Sequence, residues 1–123
     1  MLRQRAGSIV NVASIAGLTG IADRAAYNAS KRALLALTET LNLETVGEGL
    51  RATVILPEAV DTPILSQRPA GTMPPAEVRA KMLRPEDVAR AVTWVLGLPA
   101  HVCINELQIS PISNYHYAGM RPD

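Results

Sequence analysis

Three residues of this chain could share one chemical task. Ser14 is followed thirteen residues later by Tyr27, and Lys31 comes four residues after that. A phenol and an ammonium at i and i+4 lie on one face of a helix. A hydroxyl brought beside that pair by a strand and a loop gives three groups able to surround one carbonyl oxygen. A free phenol ionises only near pH ~10 and is a poor base at neutral pH, whereas a neighbouring ammonium favours its ionised form. Such a trio suits moving a proton while a hydride moves elsewhere. Taken singly, the same residues also fit plainer roles: a packed phenol beside a solvated ammonium, and a loop or capping hydroxyl at Ser14.

The elements that would position these groups alternate. Ser8–Ala13 is a short β-branched apolar run that predicts a buried parallel strand. Ser14 to Arg24, with Gly17 and Gly20, reads as a loop. From Ala25 to about Val46 the pattern is helical, with Ala33, Leu34, Leu37, Leu41 and Leu43 as its apolar face and Gly47 and Gly49 as its stop. Arg51–Leu56 predicts a second buried strand, closed by Pro57. Pro63 to Lys81 holds four prolines and Gly71 and predicts a long, lid-like loop with one helical turn. Arg84-Pro85-Glu86-Asp87 opens a second helix, proline in its first turn and acids at its positive end. Val88, Ala91, Val92, Val95 and Leu96 form its apolar face. Asn105–Ser110 alternates as an edge strand does, and the tail from Pro111 to Asp123 lacks periodicity. The sum is an α/β chain with a parallel sheet and right-handed crossovers. It divides into a strand-helix-strand unit at 7–62, a loop at 63–83, a last helix and strand at 84–112 and a tail at 113–123.

The chain has 123 residues, 48% apolar and 19% charged, which suits one domain with a buried core. A net charge of +1, no Phe and one Trp give neither a basic field nor an aromatic platform for nucleic acid. Arg3, Arg5 and Arg51 form no common basic face. The single Cys excludes an internal disulfide and points to a reducing compartment. Ile9-Val10 is too short for a signal-peptide core, and no run approaches the ~18 apolar residues of a membrane span. A soluble, cytoplasmic protein without nucleic-acid or membrane partners is expected. His101 and His116 lack metal-ligand spacing, so no metal is expected. Trp94 is assigned to core or interface, Cys103 to a buried unreactive thiol, and Asn11 to a strand end.

The strand ending at Ser14, the Tyr27-x-x-x-Lys31 helix and the strand ending Pro57-x-x-Val60-x-Thr62 resemble the short-chain dehydrogenases/reductases. So do Arg84-Pro85-Glu86-Asp87-Val88-Ala89 and Asn105-Glu-Leu-Gln-Ile near the end. The likeness runs from about Gly7 to Ile112. It implies the C-terminal half of a Rossmann-like doubly wound parallel sheet. The glycine-rich turn that seats the cofactor pyrophosphate in the family belongs to a first half not present here.

The resemblance further implies an NAD(P)-dependent oxidoreductase acting on a small carbonyl or alcohol substrate, with NADP the first choice and NAD the second. Tyr27 would donate the proton in reduction and accept it in oxidation. Lys31 would favour the ionised phenol and hold the nicotinamide ribose with Tyr27, and Ser14 would bind the substrate oxygen. Pro57, Val60 and Thr62 match positions that grip the nicotinamide carboxamide. Ser14, Ile15, Glu58 and Ala59 would line the substrate pocket. Glu58 departs from the glycine that family members carry there. Its carboxylate predicts an altered cofactor fit or a pocket favouring polar or cationic groups. Two further expectations attach to the half-domain: a homo-oligomer, and, as an alternative to catalysis, a truncated remnant serving as an oligomerising or structural unit.

Overall fold

A computed structural model describes residues 1–67 and 73–113 of the chain. Residues 68–72, within the span predicted as a loop, and residues 114–123, His116 included, lie outside the described residues. Strands β1 (Gly7–Val12), β2 (Leu50–Pro57) and β3 (Glu106–Ile109) form one sheet in the order β1-β2-β3. Both pairings are parallel, with Val12 opposite Ile55 and Ile55 opposite Leu107. The predicted alternation of strand, helix, strand, helix and strand is observed. Helix α1 is Ala25–Glu44, α2 is the single turn Ala76–Arg79, and α3 is Pro85–Leu96.

Centrality buries β2. Ala52, Thr53, Val54, Ile55 and Leu56 expose between 0% and 2% of their surface, because neighbouring strands take both backbone edges and helices cover both faces. On one face Val54 and Leu56 meet Ala13 and Leu35 of α1, with Leu34 packed alongside. On the other, Arg51 reaches the C-terminal end of α3. Its guanidinium donates to the carbonyls of Leu96 (3.2 Å), Leu98 (3.0 Å), Pro99 (2.7 Å) and Val102 (2.7 Å), and its Nε to Ser8 Oγ (2.8 Å). A cation placed there satisfies carbonyls the helix leaves unpaired and complements the negative end of its dipole. Two crossovers that step the same way along a sheet but lie on opposite faces have opposite hands. The expectation of right-handed crossovers therefore holds for one of the two only, and the sheet order with two-sided cover of β2 overrides the general preference.

Helix α1 is rotated relative to its leucine pattern. Ala33, Leu37 (51% exposed) and Leu43 (69% exposed) face outward, while Leu35 and Thr38 are buried. Polar contacts set that rotation. Asn11 Nδ2 donates to Thr38 Oγ1 at 2.9 Å, and Thr38 Oγ1 donates to the Leu34 carbonyl at 2.6 Å. One end lower, the Asn42 amide brackets Ala52, donating to its carbonyl at 2.8 Å and accepting its N–H at 2.7 Å. Turning Leu37 inward would leave Asn11 and the Ala52 N–H without these partners, which outweighs one more buried leucine. The helix ends as expected before Gly47 and Gly49, both at positive φ. At Gly49 a Cβ would also collide with the Arg5 carbonyl.

Other expectations are corrected. Strand β1 is half-buried rather than buried, with Val12 at 44% exposure, because among the described residues it pairs on one side only. Asn11, the last residue but one of β1, bonds across to α1 instead of capping the strand end. Trp94 is 54% exposed and Leu96 49% exposed, on the outer side of α3; of core and interface, the two places expected for Trp94, the core is excluded, and Leu96 leaves the predicted apolar face. Cys103 is exposed, its thiol 3.5 Å from Asn105 Oδ1. The start of α3 is as predicted, with Pro85 first and Asp87 accepting the Arg84 N–H at 2.8 Å. No helix among the described residues is long and apolar enough to cross a membrane.

Replacing Arg51 by Met keeps the stem and removes every one of these guanidinium bonds. The substitution is expected to lower unfolding free energy by about 2–3 kcal/mol, measured by urea denaturation followed by circular dichroism. A loss under about 0.5 kcal/mol would mean the carbonyls find water at no cost.

Candidate active site

At the carboxyl end of β1 the ladder continues one residue, Ala13 N–H donating to the Ile55 carbonyl at 2.8 Å. Ser14 then turns the chain. In extended backbone (φ −171°) it caps the 3-10 turn Ile15–Gly17, its Oγ accepting the Ala16 N–H at 3.2 Å while its carbonyl accepts the Gly17 N–H at 2.9 Å. Accepting through Oγ leaves the Ser14 hydroxyl hydrogen free to donate outward. Ala13, Ser14, Ile15 and Ala16 are all buried, so the hydroxyl is held by packed backbone rather than by a loose loop.

The turn is pressed onto α1. A Cβ on Gly17 would lie 2.7 Å from Leu35 Cδ1 and 3.0 Å from the Lys31 backbone oxygen. Only a glycine permits that approach without displacement. Arg32 Nη1 donates to the Gly17 carbonyl at 2.9 Å, tying the Ser14 turn to the residue next to Lys31. Farther along the loop, Asn28 Nδ2 donates to the Ile21 carbonyl at 2.8 Å. Tyr27 and Lys31 stand one turn apart on the same helix, the Lys31 ammonium 5.6 Å from the centroid of the Tyr27 ring. Tyr27 is 39% exposed. Among the described residues its hydroxyl has no hydrogen-bond partner and the Lys31 ammonium no carboxylate within ion-pair distance.

The third part follows β2. Pro57 is buried, and the Glu58 N–H donates to the Ile109 carbonyl at 2.9 Å, closing the pairing with β3. Glu58, Ala59, Val60 and Thr62 are half-buried. Val60 forms an isolated parallel bridge with Leu83: the Asp61 N–H donates to the Leu83 carbonyl (2.8 Å) and the Leu83 N–H to the Ala59 carbonyl (2.9 Å). The Thr62 carbonyl accepts the Leu65 N–H at 3.0 Å, opening the 3-10 turn Pro63–Gln67.

Because Val12 and Ile55 are register partners, Ser14 and Pro57 leave the sheet at the same end. That carboxyl end is where open α/β sheets bind ligands. The structure therefore brings the Ser14 turn against the Tyr27–Lys31 helix, and sets the Pro57–Thr62 stretch at the end of the adjoining strand. Ile15, predicted in the substrate pocket, is 8% exposed. A phenol and an ammonium that have no hydrogen-bond or carboxylate partner among the described residues form a donor set that fits a ribose diol, so the residues present suit a dinucleotide cofactor. Arg32 and the close contact at Gly17 were not identified from sequence. An arginine whose partner is a backbone carbonyl leaves no pattern of residue types, and the glycine marked a loop without marking what approaches it.

The family model described as short chain dehydrogenase matches residues 1–72. An uncharacterized oxidoreductase of Staphylococcus saprophyticus is 37% identical over 112 residues, covering 91% of this chain and 45% of the relative. One of Staphylococcus epidermidis is 35% identical, covering 91% and 46%. The chain thus spans about half the length of the curated relatives it matches. Among solved structures, the closed form of a serine dehydrogenase complexed with NADP+ is 32% identical with a TM-score of 0.83, covering all of this chain and 51% of that one. A β-ketoacyl-[ACP] reductase from Bacteroides thetaiotaomicron is also 32% identical, with a TM-score of 0.71 over 92% of this chain and 45% of that one.

Gly17→Ala tests the pressed turn. The added methyl must displace Leu35 or the Lys31 backbone, with an expected cost of about 1–3 kcal/mol. The amide resonances of Ser14 and Lys31 should shift together in a nitrogen-proton correlation spectrum. Shifts confined to residue 17 and its neighbours, with unchanged stability, would mean the contact is slack.

Proposed function

Since this chain belongs to the short-chain dehydrogenase/reductase family, we propose that it supplies the catalytic half of an NAD(P)-dependent oxidoreductase that interconverts a small carbonyl compound and its alcohol. The observation that carries the reading is the Ser14 turn clamped onto the helix of Tyr27 and Lys31 at the carboxyl end of the sheet. When bound, a nicotinamide cofactor supplies the hydride in reduction and accepts it in oxidation. The residues manage the oxygen and its proton. In reduction the Tyr27 hydroxyl gives its proton to the carbonyl oxygen, and in oxidation the Tyr27 phenolate takes it back. Lys31, one turn away with its ammonium 5.6 Å from the centroid of the Tyr27 ring, would donate to the ribose hydroxyls. Ser14, whose Oγ already accepts the Ala16 N–H, donates its hydrogen to the same substrate oxygen and steadies charge developing there.

Pro57, Val60 and Thr62 hold the carboxamide end of the nicotinamide in this reading, while Ile15, Glu58 and Ala59 border the substrate. Glu58 places a carboxylate where a backbone-only residue would let the ring approach closely, and favours a substrate with a cationic group. The serine dehydrogenase similarity agrees with NADP and with a substrate bearing an amine. A second reading, an oligomerising or structural unit without catalysis, draws on the half-bare β1, whose described pairing is with β2 alone.

Fluorescence titration of the folded chain with NADPH and NADH separates the two. Catalytic machinery predicts saturable binding that Lys31→Ala weakens at least ~10-fold, equivalent to about 1.4 kcal/mol, while Tyr27→Phe cuts any carbonyl turnover by ~100-fold or more. A folded chain that binds neither nucleotide at millimolar concentration, or binds regardless of Lys31, would overturn the catalytic reading and favour the structural one.

A further inference from the structure

The residue between Val60 and Thr62 has a second anchor that neither the family resemblance nor the proposed chemistry assigns. Asp61 Oδ1 accepts from Arg79 Nε at 2.8 Å, with the two side chains 32% and 35% exposed. The Asp61 N–H donates to the Leu83 carbonyl, and the Leu83 N–H returns a bond to Ala59. A stretch of three residues, Ala59–Asp61, is thus tied at its carboxylate and its backbone to the short stretch Arg79–Leu83. The chain leaves this base at Thr62, makes the 3-10 turn Pro63–Gln67, and re-enters it through the single helical turn Ala76–Arg79.

We infer that Asp61 and Arg79 are positioning residues, an ion-paired clamp at the base of the loop that fixes the backbone of Val60–Thr62. The inference rests on the proposed role of Val60 and Thr62 as nicotinamide contacts. The two backbone bonds alone make an isolated bridge, not a ladder, and a lone bridge on a half-exposed surface opens readily. A charge-assisted bond across the same base raises the cost of opening. Its partial burial strengthens it beyond a solvated pair, since less water competes for either partner. Because the carboxylate and amide anchored here belong to one residue, the clamp restrains the backbone torsions on both sides of it. The orientation of Val60 and Thr62 then depends on residues 79–83, which lie beyond the loop in sequence. Variation in the loop itself could change the substrate without disturbing the cofactor end.

Amide hydrogen exchange on the full chain reads the clamp without requiring activity. In Arg79→Ala, exchange at Asp61 and Leu83 is expected to accelerate by about fivefold, while Val54, whose N–H donates to the Asn105 carbonyl within the sheet, keeps its rate. Arg79→Lys, which retains the charge and can reach the same oxygen, should restore most of the protection. Unchanged exchange at Asp61 and Leu83 would overturn the clamp. So would equal acceleration at Val54, which would make Arg79 a general stabiliser, or a Lys variant that behaves like Ala. If exchange follows the expected pattern but the wild-type chain fails to bind NADPH, the cofactor reading falls and the clamp stands.

Discussion

Every candidate functional group in this chain hangs from the burial of β2. A strand exposed by no more than 2% from Ala52 to Leu56 needs a strand on each edge and cover on each face, and β1, β3, α1 and α3 supply them. The edge toward β1 fixes where Ser14 leaves the sheet. The face toward α1 fixes where Tyr27 and Lys31 stand, and the strand's own end delivers Pro57 to Thr62. Disturbing β2 would not move one site residue; it would uncouple all of them from each other.

Apolar burial alone does not specify that arrangement, since a leucine-rich helix can roll on a sheet at small cost. Directional bonds remove the freedom. Asn11 to Thr38 and Asn42 to Ala52 set the rotation of α1, Arg32 to Gly17 ties it to the Ser14 turn, and Arg51 fastens the far end of α3. Each joins a polar side chain to a partner distant in sequence in a partly buried setting, where an unmade bond is expensive. The site inherits its geometry from these bonds, as positioning within a fraction of an ångström requires.

The elements were legible in the sequence because they rest on local signals: β-branched runs for β1 and β2, the Arg84–Asp87 helix start, the glycines after α1. The spacing of Ser14, Tyr27 and Lys31 was legible for the same reason. What was misread depends on partners far along the chain. Leu37 and Leu43 fit the helical period yet face outward, because Thr38 is claimed by Asn11. Cys103 and Leu96 have the character of core residues but are exposed, beside β2 and at the end of α3. The mixed crossover hands follow from which face α3 takes, the face on which Arg51 meets four carbonyls at and beyond its C-terminal end. Asp61 and Arg79 are eighteen residues apart, and no local signal joins them; the backbone bridge beside them does.

The account's central claim is that the Ser14 turn, the Tyr27–Lys31 turn of α1 and the Val60–Thr62 stretch form one binding surface at the carboxyl end of the sheet. Amide chemical-shift mapping during addition of reduced nicotinamide mononucleotide, the half of the cofactor these residues would meet, tests it directly. The account predicts shifts that saturate together at Ser14–Gly17, Tyr27–Lys31 and Val60–Thr62, with Arg51 and the C-terminal end of α3 unmoved. Shifts scattered over the surface, or confined to only one of the three segments, would contradict it.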